Sequence, residues 1–400
     1  MAKKKQQICS FCGKHANEVD KIIVSGDVGI CASCIEMSYE ILKSAQEELS
    51  EDNISDMPKP VDIKNYLDKY IISQENAKTK TAVAIYNHLK QIQYNEKLDN
   101  KKEPLDSTHN FVIGPTGCGK TAIFKAVAKL LEVPFVTVDC SSLSSTGYVG
   151  ADVTDSLVMA LQEADGDIQI AERAIIFMDE FDKIARKSGE YISASKDVSG
   201  EAVQQGLLKI LEGADIEVPI AGKRSANTET ITMNTSNMLF ILNGSFEGLD
   251  KVIASRVNKK KIGISEERKD YTTDDYLNLV TPQDLVSYGI LPEIVGRAPS
   301  IIVLNSLTEE ELIDILTKPK NAVVKQFAEL FKMDGIKLSF KKDILKYIAN
   351  LAMKRKTNAR GLRGQLDQLL NPLMYNMPNR DDVKEIIITD SLTNGMKLKA

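Results

Sequence analysis

Eight consecutive residues, Gly114-Pro115-Thr116-Gly117-Cys118-Gly119-Lys120-Thr121, combine three glycines with a lysine and a threonine. Glycines so spaced let backbone N–H groups converge on phosphate oxygens. Lys120 is suited to the β and γ phosphates of a nucleotide and the Thr121 hydroxyl to Mg²⁺, with Ala122 completing the cofactor-binding run. Cys118 fills a position that asks only for a small side chain. Further on, Asp179-Glu180 offers adjacent carboxylates. In the same site Asp179 would hold Mg²⁺ through water and Glu180 would polarise an attacking water, which makes ATP hydrolysis the expected chemistry.

A second chemistry sits near the start. Cys9-x-x-Cys12 and Cys31-x-x-Cys34 are separated by 18 residues, the spacing of a four-thiolate zinc site. Each pair can wrap two sulfurs around one face of a tetrahedral ion, at Zn–S distances of about 2.3 Å. Gly13 permits the tight turn after the first pair. Four thiolates close the shell, so the zinc is structural and His15 is read as a bystander. The segment is too short to fold on apolar burial, and metal binding is expected to supply its folding energy.

These residues need elements to hold them. Phe111-Val112-Ile113 is a short apolar run leading into the glycine loop. After Lys120-Thr121, Ile123, Ala126, Val127, Leu130 and Leu131 recur at helical spacing. Strand, glycine loop and helix together separate a phosphate-binding loop from a chance match. A second strand, Ala174–Met178, delivers Asp179-Glu180 to the carboxyl edge of a sheet, where ligands bind in such folds. A third, Leu239–Leu242, ends in Asn243, which fits either a phosphate or water contact or an ordinary strand cap. Alternating strands and helices imply an α/β fold with a parallel sheet covered on both faces. From about Leu304 the pattern becomes helices around two short strands, Ile336–Phe340 and Val383–Thr389. That predicts a smaller α/β lid whose hinge carries ATP-driven rocking.

The whole composition sets limits. The chain has 400 residues, 43% apolar and 27% charged, with net charge −5. Two or three domains follow from that length, and mild acidity argues against a global grip on nucleic acid. No stretch approaches the ~20 apolar residues of a membrane span. No apolar run of signal-peptide length follows Met1–Gln7, so a cytoplasmic, reducing address is expected. Residues 46–60, polar, acidic and ending in Pro58-Lys59-Pro60, read as a flexible linker that tethers residues 1–45, the zinc-binding module.

The zinc knuckle, the loop Gly114–Thr121, Ile175-Ile176-Phe177-Met178-Asp179-Glu180-Phe181-Asp182-Lys183, and Gly147-Tyr148-Val149-Gly150 occur in one order. That combination closely resembles the ClpX family of AAA+ unfoldases, over essentially the whole chain. The resemblance implies a large AAA+ ATPase domain over 61–303 and a small AAA+ domain over 304–400. It implies a homo-hexamer that unfolds protein substrates and threads them into a ClpP-type peptidase, with ATP, Mg²⁺ and Zn²⁺ as cofactors and no peptidase chemistry of its own.

Residue by residue, Tyr148 and Val149 match the principal pore loop that grips polypeptide, and residues 193–199 resemble the second. Lys223-Arg224-Ser225 stands where the family's basic entrance loop usually reads Arg-Lys-His. Ile262-Gly263-Ile264 stands where the peptidase-docking loop normally reads Ile-Gly-Phe; an aliphatic Ile264 can fill a hydrophobic cleft with less buried area. Arg297, in Leu291–Arg297, matches the arginine finger that reaches a neighbouring subunit's γ-phosphate. Arg360, in Asn358–Arg363, matches the sensor arginine of the lid. Ile71 and Ile72, with Tyr70 and Gln74, resemble the strip that packs on adenine, although the family usually has glycine where Ser73 stands. Two other readings are a stand-alone remodelling chaperone, which Ile264 keeps open, and a zinc-ribbon nucleic-acid motor, which the acidic charge disfavours. Neither nucleic acid nor a membrane is an expected partner.

Overall fold

A computed structural model describes residues 8–19, 21–25, 28–39, 57–98, 103–143, 153–186, 198–219, 230–259, 271–380, 382–389 and 396–399. Tyr148, Val149, Lys223, Arg224, Ile262, Gly263 and Ile264 lie outside them, as does most of the expected linker. The chain divides into two compact units, Met1–Pro58 and Lys59–Ala400.

In the first unit, β1 (Ile22–Ser25) and β2 (Val28–Cys31) form an antiparallel hairpin, with Ile22 opposite Cys31. The hairpin was not foreseen because β1 is mostly exposed and lacks a clean apolar alternation. Residues 32–39 are helical and carry Cys34 in the first turn. The buried centre is Cys9, Cys31 and Cys34, with Val19, Ile22 and Ile30 against them.

The second unit is built on a five-stranded sheet in the order β4-β5-β8-β3-β9. Its strands are β3 (Asn110–Ile113), β4 (Phe135–Asp139), β5 (Ile175–Asp179), β8 (Leu239–Gly244) and β9 (Ser300–Val303), and every pairing is parallel. A separate hairpin, β6 (Asp215–Pro219) with β7 (Thr230–Asn234), lies between β5 and β8 in sequence. β3, β5 and β8 are almost wholly buried, as continuous apolar runs require. Alternate residues feed opposite cores. Phe111, Ile176, Met178, Phe240 and Leu242 enter one, whereas Val112, Ile175, Phe177, Leu239 and Ile241 enter the other. The second core is closed by helices Pro60–Asp68, Glu75–Glu96 and Lys120–Leu131 through Ile63, Leu67, Ile85, Ile123 and Val127.

β8 runs two residues past its expected end, because its neighbour β3 pairs Val112 with Asn243 and Ile113 with Gly244. Sheet register thus brings Asn243 level with the phosphate loop's entrance. The lid has its own core, including Leu312, Phe327, Phe331, Ile348, Leu366 and Ile386. β10 (Lys337–Phe340) pairs parallel with β11 (Glu385–Ile388), which pairs antiparallel with β12 (Met396–Lys399). The third strand was not expected, since Met396-Lys397-Leu398-Lys399 is too short and too charged to stand out. No described helix is long and apolar enough to cross a membrane.

Candidate nucleotide cleft and zinc site

The phosphate loop begins where β3 ends and closes into helix Lys120–Leu131. Gly119 caps that helix at φ +105°, and Gly117 sits at φ +78°. Both values favour glycine, and Gly117 has a second constraint: a Cβ there would stand 2.7 Å from the Thr357 carbonyl oxygen of the lid. Lys120 is only 9% exposed, and its ammonium donates to Gly114 O (2.6 Å) and Pro115 O (3.0 Å). Burial lowers its pKa, as expected for a cation with little water around it. Such a poorly hydrated ammonium gains strongly from an incoming phosphate.

Register does the next step. Asp179 ends β5 opposite Asp139 of β4. Its Oδ1 accepts from Asn243 Nδ2 at 2.5 Å and from the Glu180 backbone N–H at 3.0 Å. Asn243 Oδ1 is buried without a hydrogen-bond partner. Glu180 itself takes φ +54°, an uncommon backbone for a non-glycine residue and a frequent one at functional turns. Lys120, Thr121, Asp179, Glu180 and Asn243 line one cleft of about 550 Å³, within the range of cofactor sites. Thr116, Gly117, Gly119 and Ala122 line it as well, and Ala359 and Arg360 add a wall from the lid. The lid is held there by Asn358 Nδ2 donating to Thr116 O (2.9 Å) and Ala359 N to Gly117 O (3.2 Å).

The other expected residues divide. Arg297 does not line this cleft; its guanidinium stands 3.6 Å from the Glu212 carboxylate. Ile71 is buried against the second core and Ile72 is half-buried, and neither lines the cavity. Ser73 adopts φ +52°, a left-handed backbone that glycine takes freely and serine does not. Cys118 is buried beneath the loop.

Sequence reasoning assigned no role to Asp182, Ser245 or Glu247, which also line the cleft. Asp182 accepts from Ser245 Oγ and Phe246 N, both at 3.2 Å, and so fixes the turn that follows Asn243. Its place three residues after Asp179 is the signal that could have marked it. Ser245 and Glu247 carry no such local signature.

The four thiols Cys9, Cys12, Cys31 and Cys34 have ligand atoms all within 4.8 Å of one another. Cys12 Sγ and Cys31 Sγ are 3.8 Å apart, the separation of about 3.8 Å that tetrahedral ~2.3 Å Zn–S bonds require. Backbone N–H donors, that of Cys12 first, lower the Cys9 pKa to about 6, whereas the Cys31 side chain beside it pushes Cys34 up to about 12, the opposition expected of thiols crowded together. The Cys31 N–H points at the Cys9 sulfur at 3.3 Å. Gly13, at φ +75°, makes the turn, its N–H donating to Cys9 O at 2.8 Å. His15 is not in the ligand group. The donor set therefore fits zinc.

Three family descriptions match the chain: the ClpX C4-type zinc finger over residues 7–44, the AAA domain (Cdc48 subfamily) over 106–301, and the C-terminal, D2-small domain, of ClpB protein over 307–389. The chain is similar to proteins named ATP-dependent Clp protease ATP-binding subunit ClpX. That of Bacteroides fragilis is 42% identical over 397 residues, covering 97% of this chain and 95% of the relative. That of Bacteroides thetaiotaomicron is 41% identical over 395 residues, with 96% and 94% covered. That of Treponema denticola is 41% identical over 398 residues, with 98% and 95% covered.

Proposed function

This chain belongs to the ClpX family of Clp protease ATP-binding subunits, and from that premise we propose that it is a hexameric ATP-driven unfoldase and translocase that threads protein substrates into a ClpP-type peptidase. It is an AAA+ ATPase with ATP and Mg²⁺ as cofactors and a zinc-finger module. The observation that carries the mechanistic reading is one cavity shared by Lys120, Thr121, Asp179, Glu180 and the lid's Arg360.

Bound Mg–ATP supplies a phosphoanhydride to cleave and a cation to neutralise its charge. The loop 114–121 binds the phosphates through backbone N–H groups and Lys120. Thr121 and Asp179, both lining the cleft, would hold the metal, Asp179 through water. Asn243 holds Asp179 and, with its free amide oxygen, can orient water for Glu180 to polarise. Arg360 reports the phosphates to the lid. Arg297 lies away from the cleft of its own subunit, which supports an action in a neighbour's site and hence a ring. Tyr148 and Val149 are assigned to substrate grip, Lys223 and Arg224 to substrate entry, Ile262, Gly263 and Ile264 to peptidase docking, and Ile71 and Ile72 to the adenine. The division into 1–45, 46–60, 61–303 and 304–400 and a cytoplasmic address belong to the same proposal.

The test is degradation of a folded, tagged reporter with ATP, with and without a ClpP-type peptidase. Loss of reporter fold with ATP alone, followed by proteolysis only when the peptidase is added, is expected. Unfolding without any peptidase cooperation favours the stand-alone chaperone, the reading that the Ile264 departure supports. ATPase stimulation by single-stranded DNA and not by the tagged protein overturns both.

A further inference from the structure

Gln74 lies next to the expected adenine strip, and its side chain is 9% exposed. It reaches across 231 positions of sequence. Its Nε2 donates to the Asn305 carbonyl at 2.8 Å, and its Oε1 accepts from the Asn305 N–H at 3.0 Å. The amide thus occupies both backbone polar groups of one residue, as a neighbouring strand would. Asn305 stands between β9, the last strand of the large sheet, and Glu309–Thr317, the first lid helix. It is the hinge.

Other ties converge on the same place. Asn305 Oδ1 accepts from Asn278 Nδ2 at 2.9 Å, and Asp274 accepts from Ser306 N at 2.9 Å and Ser306 Oγ at 3.2 Å. At the other end of the strip, Lys320 N of the lid donates to Lys69 O at 2.8 Å. Residues 70–73 are therefore bracketed, by a lid contact at Lys69 and a hinge contact at Gln74. The bracket also holds strain: Ser73 at φ +52° and Gln74 at φ +60° are consecutive left-handed residues, neither a glycine. Such backbone persists where its surroundings over-determine it.

We infer that Gln74 is a positioning residue whose bidentate grip on Asn305 couples the 70–73 strip to the hinge, so that the lid's angle over the cleft follows nucleotide occupancy. The inference rests on the ATPase reading above. A base seated on the strip shifts its backbone, the amide carries that shift to Asn305, and Arg360 moves with the lid. Without the amide the strip and hinge are free to move separately, so nucleotide binds but the lid no longer answers.

The experiment uses the full-length chain with a spin label on the large sheet domain and another on the lid, read with and without ATP, alongside steady-state ATPase. The unmutated chain is expected to hydrolyse ATP and to change its inter-label distance when ATP is added. Absence of hydrolysis sinks the ATPase reading on which the inference rests, whereas hydrolysis without a distance change overturns the inference itself. With the control met, Gln74→Ala is expected to bind ATP within about threefold of the unmutated affinity, lose the distance change, and lower kcat about tenfold with little change in KM. Gln74→Glu keeps an acceptor for Asn305 N but sets a carboxylate against Asn305 O, and is expected to fail in the same direction. It decides the matter if Gln74→Ala does not fold. A melting midpoint lowered in either folded variant, with kcat and the ATP-driven distance change intact, assigns Gln74 a purely structural role and overturns the inference.

Discussion

The zinc module and the ATPase body solve the folding problem in opposite ways. The module's buried centre is three cysteines with Val19, Ile22 and Ile30, and Phe11, Ile23, Val28, Met37 and Tyr39 stay exposed. The body buries two cores on the faces of one sheet and a third in the lid. A small chain segment leaves too much apolar surface in water to fold on burial alone, so an ion must make up the difference; a segment of several hundred residues has no such need. The same contrast governs function, since a closed four-thiolate shell has no open position for catalysis, whereas the cleft is lined by groups still free to bind.

The sharpest way to break this comparison is to remove the metal. Structural zinc contributes on the order of 10 kcal/mol, so chelation or Cys31→Ser is expected to unfold the module completely, seen as loss of its dispersed amide resonances. Basal ATPase should survive, and its loss together with the module would show that the body depends on the zinc. Next in size is Glu180→Gln. ATP binding is retained and turnover falls by about 10² to 10⁴, measured as phosphate release, with the zinc module untouched. Turnover near that of the unmutated chain would remove Glu180 from the role of base.

Acid separates the two regions by mechanism. His88 and His109 are buried, and loss of hydration pushes their pKa values down to about 4. In the unfolded chain an ordinary His titrates near ~6.5, so between ~6.5 and ~4 the unfolded state holds more protons. The body's stability is therefore complete above ~6.5 and falls as pH drops toward ~4, by up to about 3 kcal/mol per ring. Melting midpoints across that range check it, and His88→Gln is expected to flatten the slope. The module also weakens in acid, because protons compete for thiolates, but added zinc should restore it and leave the body's loss unchanged. The smallest effect concerns strain within the body. Ser73→Gly relieves a left-handed backbone costing ~1–2 kcal/mol and gives back part of that as unfolded-chain freedom. A rise of about 1–2 °C in the body's midpoint is expected, and a fall would mean the Ser73 side chain contributes contacts worth more than the strain.

Legibility followed the range of the interaction. The phosphate loop, Asp179-Glu180 and each Cys-x-x-Cys pair are built from residues within a few positions of one another, so residue type and spacing carried their chemistry, and the apolar runs beside them carried the parallel sheet. Strand ends were less legible, because β8 extends to Gly244 only through its partner β3. The hairpin of the module and β12 of the lid were missed, being short strands without strong apolar alternation.

What the sequence determined by itself, then, is donor chemistry: which atoms can hold phosphate, magnesium or zinc, since each motif that supplies them is local. Tertiary structure decided which distant groups join them. Asn243 meets Asp179 by sheet register, and Asn358 reaches Thr116 and Gln74 reaches Asn305 across more than two hundred residues. It also decided that Arg297 does not line the cleft. Such contacts depend on how strands order and how a lid closes, and no periodicity in a linear chain encodes a distance between elements that meet only after both have folded.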